Sequence, residues 1–136
     1  MAVLAALLRL YSYFFHGVLS LVMVVMALVS WLSGAHGLDL VLVPWRDEPL
    51  RWTLLAGGLA GLTAVWLAAR DRAAVFFLGW SVLIFLVLLR GFFFGWVHYV
   101  RGPYSLDWAL LLTVASLLAA GGAWIQYRSL RTAAAS

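Results

Sequence analysis

Few residues able to do chemistry lie inside the long apolar stretches of this 136-residue chain. Its three histidines are His16, His36 and His98. His16 and Arg90 are the ionisable side chains that fall within apolar runs, and such residues in a membrane point to function by default. His16 sits near the start of the first run, a position suited to a buried imidazole bonded to a neighbouring carbonyl or Ser. Arg90 falls near the far end of the third run, where it can snorkel to the headgroups or pair with Asp39, Glu48 or Asp107. His36 and His98 fall on the same side as Asp39, Asp47, Glu48 and Asp107. Two imidazoles and a carboxylate can hold a zinc, copper or iron ion, and a quinone or haem near that face would draw on the same residues. His36, His98, Arg90 and Asp107 are therefore the candidate cofactor-binding residues. Neither of these two histidines belongs to a spaced ligand motif, so no metal site is assigned and no cofactor is expected. A haem held by two histidines needs both at one depth, and His16 and His98 lie at opposite ends of the spans.

The absences say more. No Ser-His-Asp set, HExxH, GxSxG or phosphate-loop pattern occurs, so no catalytic residue is assigned and a non-enzymatic role is expected. No Asp or Glu lies within an apolar run, and proton-coupled transport of the kind used by small four-span multidrug exporters relies on one. With no cysteine, disulfides, thiolate metal sites and thiol catalysis are all excluded.

These residues must be positioned by a membrane fold. The composition is 66% hydrophobic and 10% charged, with a mean hydropathy of +1.04, whereas a soluble domain is about half apolar and about a quarter charged. Residues 10–38, 52–69, 73–89 and 108–127 contain no Asp, Glu, Lys or Arg, and a helix needs about 20 apolar residues to cross a bilayer. The expected architecture is all-α: four transmembrane helices in a compact up-down bundle, a single domain over 1–136 with both termini cytoplasmic. The spans are expected over 10–32, 52–69, 73–94 and 108–127, with outer loops over 33–51 and 95–107. The first run has no small-residue cleavage signature after it and is expected to remain as a span.

The nine basic residues are all Arg and are scattered. A nucleic-acid footprint would concentrate them on one face, so no nucleic-acid partner is expected. They read instead as topology. With the N-terminus inside, Arg9, Arg70, Arg72, Arg128 and Arg131 are cytoplasmic, and Arg46, Arg51, Arg90 and Arg101 are outside among most of the acids. Trp31, Trp45, Trp52, Trp96 and Trp108 then mark the outer interface, and Trp66 and Trp124 the inner one. In the first outer loop, residues 38–45 suggest an interfacial segment, with Pro44 and Pro49 breaking helix around Arg46-Asp47-Glu48. Gly102-Pro103 marks a turn in the second, Asp107 suits the first turn of span four, and the tail 132–136 is expected to fray.

Gly57 and Gly61 in span two, and Ala115 and Ala119 in span four, place small residues four apart, the pattern that lets helices approach in lipid. They are assigned to helix packing, within the bundle or against a partner. Span three is crowded with Phe76, Phe77, Trp80, Phe85, Phe92, Phe93 and Phe94, which suggests lipid contact all round it, with a groove for an acyl chain, a quinone tail or a pigment as the alternative. With almost no mass outside the membrane, the chain is expected to be a small accessory or structural subunit of a larger bacterial inner-membrane complex. Its partners would be membrane lipid and other integral subunits. A quinone-, haem- or metal-binding redox protein and a small homo-oligomeric channel or transporter are the alternatives.

Overall fold

Hydrocarbon offers no water to backbone polar groups, so each apolar run closes its N–H and C=O groups along a helix. The computed structural model describes residues 2–34, 40, 46–94 and 106–134. It contains four helices, α1 (Ala2–Leu32), α2 (Asp47–Ala69), α3 (Ala74–Leu89) and α4 (Leu106–Ala134), with no strand among the described residues. A π-helical turn, Arg90–Phe94, continues α3. All four helices, α3 taken with that turn, are long and apolar enough to cross a membrane.

Three helix ends differ from expectation, each for a local reason. α1 already runs from Ala2, because the Ala- and Leu-rich stretch before Arg9 favours helix. α2 starts at Asp47 rather than near residue 52, so Pro49 does not break it. In a first turn the missing proline N–H would have had no helical acceptor, and Asp47 and Glu48 face the positive end of the helix dipole. α4 continues to Ala134, so the stretch around Thr132 is helical and not frayed. The Thr132 hydroxyl donates to the Arg128 carbonyl at 2.9 Å, and Arg131 in the last turn suits the dipole. Asp107 lies in the first turn of α4, as expected. The interfacial segment expected over 38–45 lies outside the described residues except for Leu40, which packs on Ala27, Leu50 and Leu54. The Gly102-Pro103 turn also lies outside them.

The principal interfaces join α1 to α2, α2 to α3, α3 to α4 and α4 to α1. Glycines set how close α1 comes. A Cβ placed on Gly58 would lie 2.8 Å from the Ser20 carbonyl oxygen and 3.0 Å from the Val24 nitrogen. One on Gly61 would meet the Ser20 hydroxyl, and one on Gly122 the Leu8 carbonyl. The α1 backbone is therefore pressed against α2 on one side and α4 on the other. Gly57 faces the flexible end of Met23, with Trp80 beyond it. Ala119 is fully buried.

α3 is not uniformly lipid-facing. Phe77, Ser81, Ile84, Leu88 and Phe92 form a buried stripe at helical spacing, while Phe76, Phe93 and Phe94 are exposed. Phe77 packs with Ala64, Ala68 and Ala123, and Phe92 with Ile84, Leu88 and Ala109. The small residues opposite make room for these rings, which an aromatic count along α3 alone does not reveal.

The link between α2 and α3 is tight. Asp71 and Ala73 adopt left-handed backbone angles, φ 54° and 51°. Asp tolerates that conformation, whereas Ala accepts about 1–2 kcal/mol of strain in it. The Asp71 N–H donates to the Ala68 carbonyl and the Arg72 N–H to that of Leu67.

Neighbouring glycines give a direct test. Nothing lies within 4 Å of a Cβ on Gly121, while one on Gly122 would meet the Leu8 carbonyl. Gly122→Ala should destabilise by about 1–3 kcal/mol through overpacking. Gly121→Ala should be neutral or stabilise by up to roughly 1 kcal/mol. Unfolding titrations in mixed micelles measure both, and the opposite order would contradict the close approach of α1 and α4.

Candidate functional site

Three levels of the bundle carry polar side chains. At the level of the α2–α3 link, Arg9 Nη2 lies 3.4 Å from Asp71 Oδ1, with the two side chains 33% and 59% exposed. Behind this pair Gln126 is fully buried. Its Nε2 donates to the Ala68 carbonyl at 2.7 Å and reaches Asp71 Oδ1 at 3.4 Å. The Tyr13 hydroxyl donates to the same carbonyl at 3.3 Å. Ala68 stands in the last turn of α2, where its carbonyl has no i+4 helical donor and receives the Asp71 N–H of the link at 2.9 Å. Side chains of α1 and α4 thus cap α2 and tie three helices and the link together. Around them the Arg70 guanidinium stacks over Trp66, 4.1 Å from the ring centre. Trp124 and Tyr127 pack together, with centroids 5.8 Å apart.

Deeper in, Ser12, His16 and Ser20 recur at four-residue spacing on one face of α1, all fully buried. The Ser12 hydroxyl donates to the Ala119 carbonyl at 2.7 Å, and the Tyr11 hydroxyl to that of Ala115 at 3.1 Å. Ala115 and Ala119 thus lie where α4 meets α1. His16 Nδ1 lies 2.9 Å from the Ser12 carbonyl. The imidazole stands edge-on to Phe15 and Phe77, with centroids 5.3 and 5.4 Å away. On the neighbouring helices Ser81 donates to Phe77, Thr113 to Ala109 and Ser116 to Thr113, each through a backbone carbonyl. Counting 1.5 Å per residue from Arg9, His16 lies about 10 Å and Ser20 about 16 Å into the bundle, within a hydrocarbon core of about 30 Å.

At the third level, Arg90 opens the π turn and Asp107 the first turn of α4. Both are exposed, and among the described residues no ion pair joins them. His36 and His98 lie outside the described residues. No group of three His, Asp or Glu able to hold a metal occurs among the described residues. Trp31 and Trp52 pack edge to face at 5.0 Å, on the side where both are expected to mark the interface.

No protein-family model, curated protein or solved structure matches this chain.

The amino-acid sequence singles out His16 but not its companions. Ser12 and Ser20 are detectable from their i, i+4 relation to His16 on an otherwise apolar helix. Asp71 is visible only as part of a charged link, and Gln126 and Trp80 only as span-end and aromatic residues. Nothing in their local sequence shows that the fold brings Gln126 under Asp71 or Trp80 against Gly61.

The Ala68 cap and the ion pair should differ in weight. Gln126→Leu removes one of three donors to the Ala68 carbonyl and should cost about 0.5–1.5 kcal/mol. A double-mutant cycle of Arg9→Ala with Asp71→Ala should give a coupling below about 1 kcal/mol, because the pair is open to solvent. A coupling larger than the Gln126 loss would reverse this assignment.

Proposed function

We propose that this chain is a small four-span subunit or accessory factor of a larger bacterial inner-membrane complex, an up-and-down bundle with both termini in the cytoplasm. The observation that carries the subunit reading is how the bundle divides its surfaces. Its small-residue seams are used internally, with Gly58 and Gly61 against α1, Gly122 against Leu8, and Gly57 against Met23. What the helices present outward is large and apolar, including Phe14, Leu21 and Val25 of α1, Leu59 of α2, Phe76 and Leu83 of α3, and Leu111 and Leu118 of α4. Such a surface suits lipid and the flanks of other membrane helices equally, and self-association through Gly57 and Gly61 would have to displace Met23, Ser20 and Trp80, which already lie against them. The interior side chains bond mainly to backbone carbonyls, an arrangement suited to holding helices together.

The order of contacts supports the up-and-down arrangement. Leu8 meets Gly122 while Ser12 bonds Ala119, and Tyr13 bonds Ala68 while Ser20 meets Gly61, so partners run in opposite senses. The orientation rests on Arg9, Arg70, Arg72, Arg128 and Arg131 falling with Asp71 towards one end, which the positive-inside rule places in the cytoplasm. The alternative redox reading rests on Arg90, which opens the π turn, and Asp107 in the first turn of α4, with no ion pair between them among the described residues.

Native mass spectrometry of the protein, extracted gently from its own membrane, should show other integral membrane chains in stoichiometric amount. A lone monomer or homo-oligomer would overturn the subunit reading. The cysteine-free sequence makes the topology equally testable. Ser33→Cys should react with an impermeant maleimide in intact spheroplasts and Ser129→Cys only after lysis; the reverse pattern would invert the orientation.

A further inference from the structure

The polar layer of α1 is left incomplete by its own hydrogen bonds. His16 Nδ1 lies 2.9 Å from the Ser12 carbonyl oxygen. A carbonyl only accepts, so Nδ1 carries the hydrogen and Nε2 presents a lone pair. That Nε2 is buried with no hydrogen-bond partner among the described residues, and so are the Ser20 hydroxyl and the Trp80 indole N–H. His16 and Ser20 are each 0% exposed.

These three atoms belong to one region. His16 and Ser20 occupy successive turns of a single helix face. The His16 ring rests on Phe77, three residues before Trp80 on α3. A Cβ on Gly61 would touch the Ser20 hydroxyl and lie 2.8 Å from Trp80 Cε2, the ring carbon bonded to Nε1. Ser20 and the Trp80 indole therefore converge on the same bare stretch of α2. With only hydrogen on Gly61, the Ser20 hydroxyl and the Trp80 ring close directly against the α2 backbone, too near to admit a Cβ between them.

We propose that His16, Ser20 and Trp80 form an interior binding site for a neutral hydroxyl oxygen, that of an ordered water or of a small hydroxylated molecule. The chemistry follows from what each atom offers. Nε2 needs a donor, the indole N–H needs an acceptor, and the Ser20 hydroxyl can be either. An oxygen that donates one hydrogen bond and accepts others satisfies the set, and three polar partners are what a buried water usually has. A quinone carbonyl has no hydrogen to give Nε2. An anion would face its lone pair. A metal ion would find a single nitrogen ligand and an indole that has no lone pair to share. In hydrocarbon, three polar atoms left bare in one layer are costly, and a hydroxyl oxygen removes that cost. The site stands whether the chain works alone or within a complex.

Solid-state NMR of ¹⁵N-histidine-labelled protein in lipid bilayers tests this, with the His16 signals assigned from their loss in His16→Gln. Expected are a protonated Nδ1, an unprotonated but hydrogen-bonded Nε2, and magnetisation transfer to Nε2 from a hydroxyl proton. Ser20→Ala should shift the Nε2 resonance. Native mass spectrometry then separates the two sources: an added small mass marks a hydroxylated ligand, and its absence marks water. A bare Nε2 lone pair with no hydroxyl transfer would overturn the site, as would a proton on Nε2 with Nδ1 bare. Stability gives an independent reading. In an occupied site Ser20→Ala removes a partner and lowers the unfolding midpoint, whereas in a dry one it removes an orphaned hydroxyl and raises it.

Discussion

The whole arrangement depends on how closely α1 is held. Gly58 and Gly61 let its backbone press against α2, and Gly122 does the same against α4. In lipid no hydrophobic drive brings helices together, so association rests on close packing and on hydrogen bonds between helices. Glycine supplies the first by removing the side chain that would hold two backbones apart. Once α1 is seated, its short polar side chains can reach neighbouring carbonyls. Ser12 finds Ala119 and Tyr11 finds Ala115, contacts that a wider spacing would deny.

The same close approach decides what the interior contains. A face of α1 bearing Ser12, His16 and Ser20 is turned inward, and α3 answers with Phe77, Trp80 and Ser81. The imidazole is enclosed by aromatic rings and bonded to its own helix. That fixes the tautomer, and the tautomer fixes which atom is left to bind something else. At the level of the link, Gln126 and Tyr13 share one carbonyl of α2. A helix end whose carbonyl also receives the Asp71 N–H thereby becomes the junction of the fold.

Much of this is legible in the amino acids and some is not. The four spans are legible because a charge-free run of near bilayer length can hardly be anything but a membrane helix. The small-residue positions Gly57, Gly61, Ala115 and Ala119 are legible as packing sites. The neighbours that would fill them are not, because the motif says only that something comes close. Helix ends are the weakest element. Pro49 is a breaker within a helix and harmless in a first turn, and only the place where α2 begins distinguishes the two. Aromatics along α3 cannot be divided into inner and outer sets, because in lipid a phenylalanine is nearly as content outside as inside. At the candidate site, His16 stands out as an ionisable residue in an apolar helix. Trp80, some sixty residues away, cannot be tied to it without the fold. The outer set rests on nearness in sequence and shared sidedness, and its two described members, Arg90 and Asp107, lie on separate helices without an ion pair.

This asymmetry has a general cause that also accounts for the shape of the molecule. In water, the burial of a leucine or phenylalanine is worth a few kcal/mol and orients a helix by its apolar face. In a bilayer that preference nearly vanishes, so exposed Phe14, Leu111 and Phe94 are no defect and carry little information about rotation. What orients each helix is the small set of residues that lipid cannot satisfy or that alone permit contact. For α1 these are Ser12, His16 and Ser20, spaced to fall on one side. Turning α1 by a third of a revolution would cost little in apolar contact. It would, however, place an imidazole and two hydroxyls in lipid and lift the Leu8 and Ser20 backbone off Gly122 and Gly58. The fold is thus specified by a handful of glycines, serines and one histidine, set in a background whose task is to stay in the membrane.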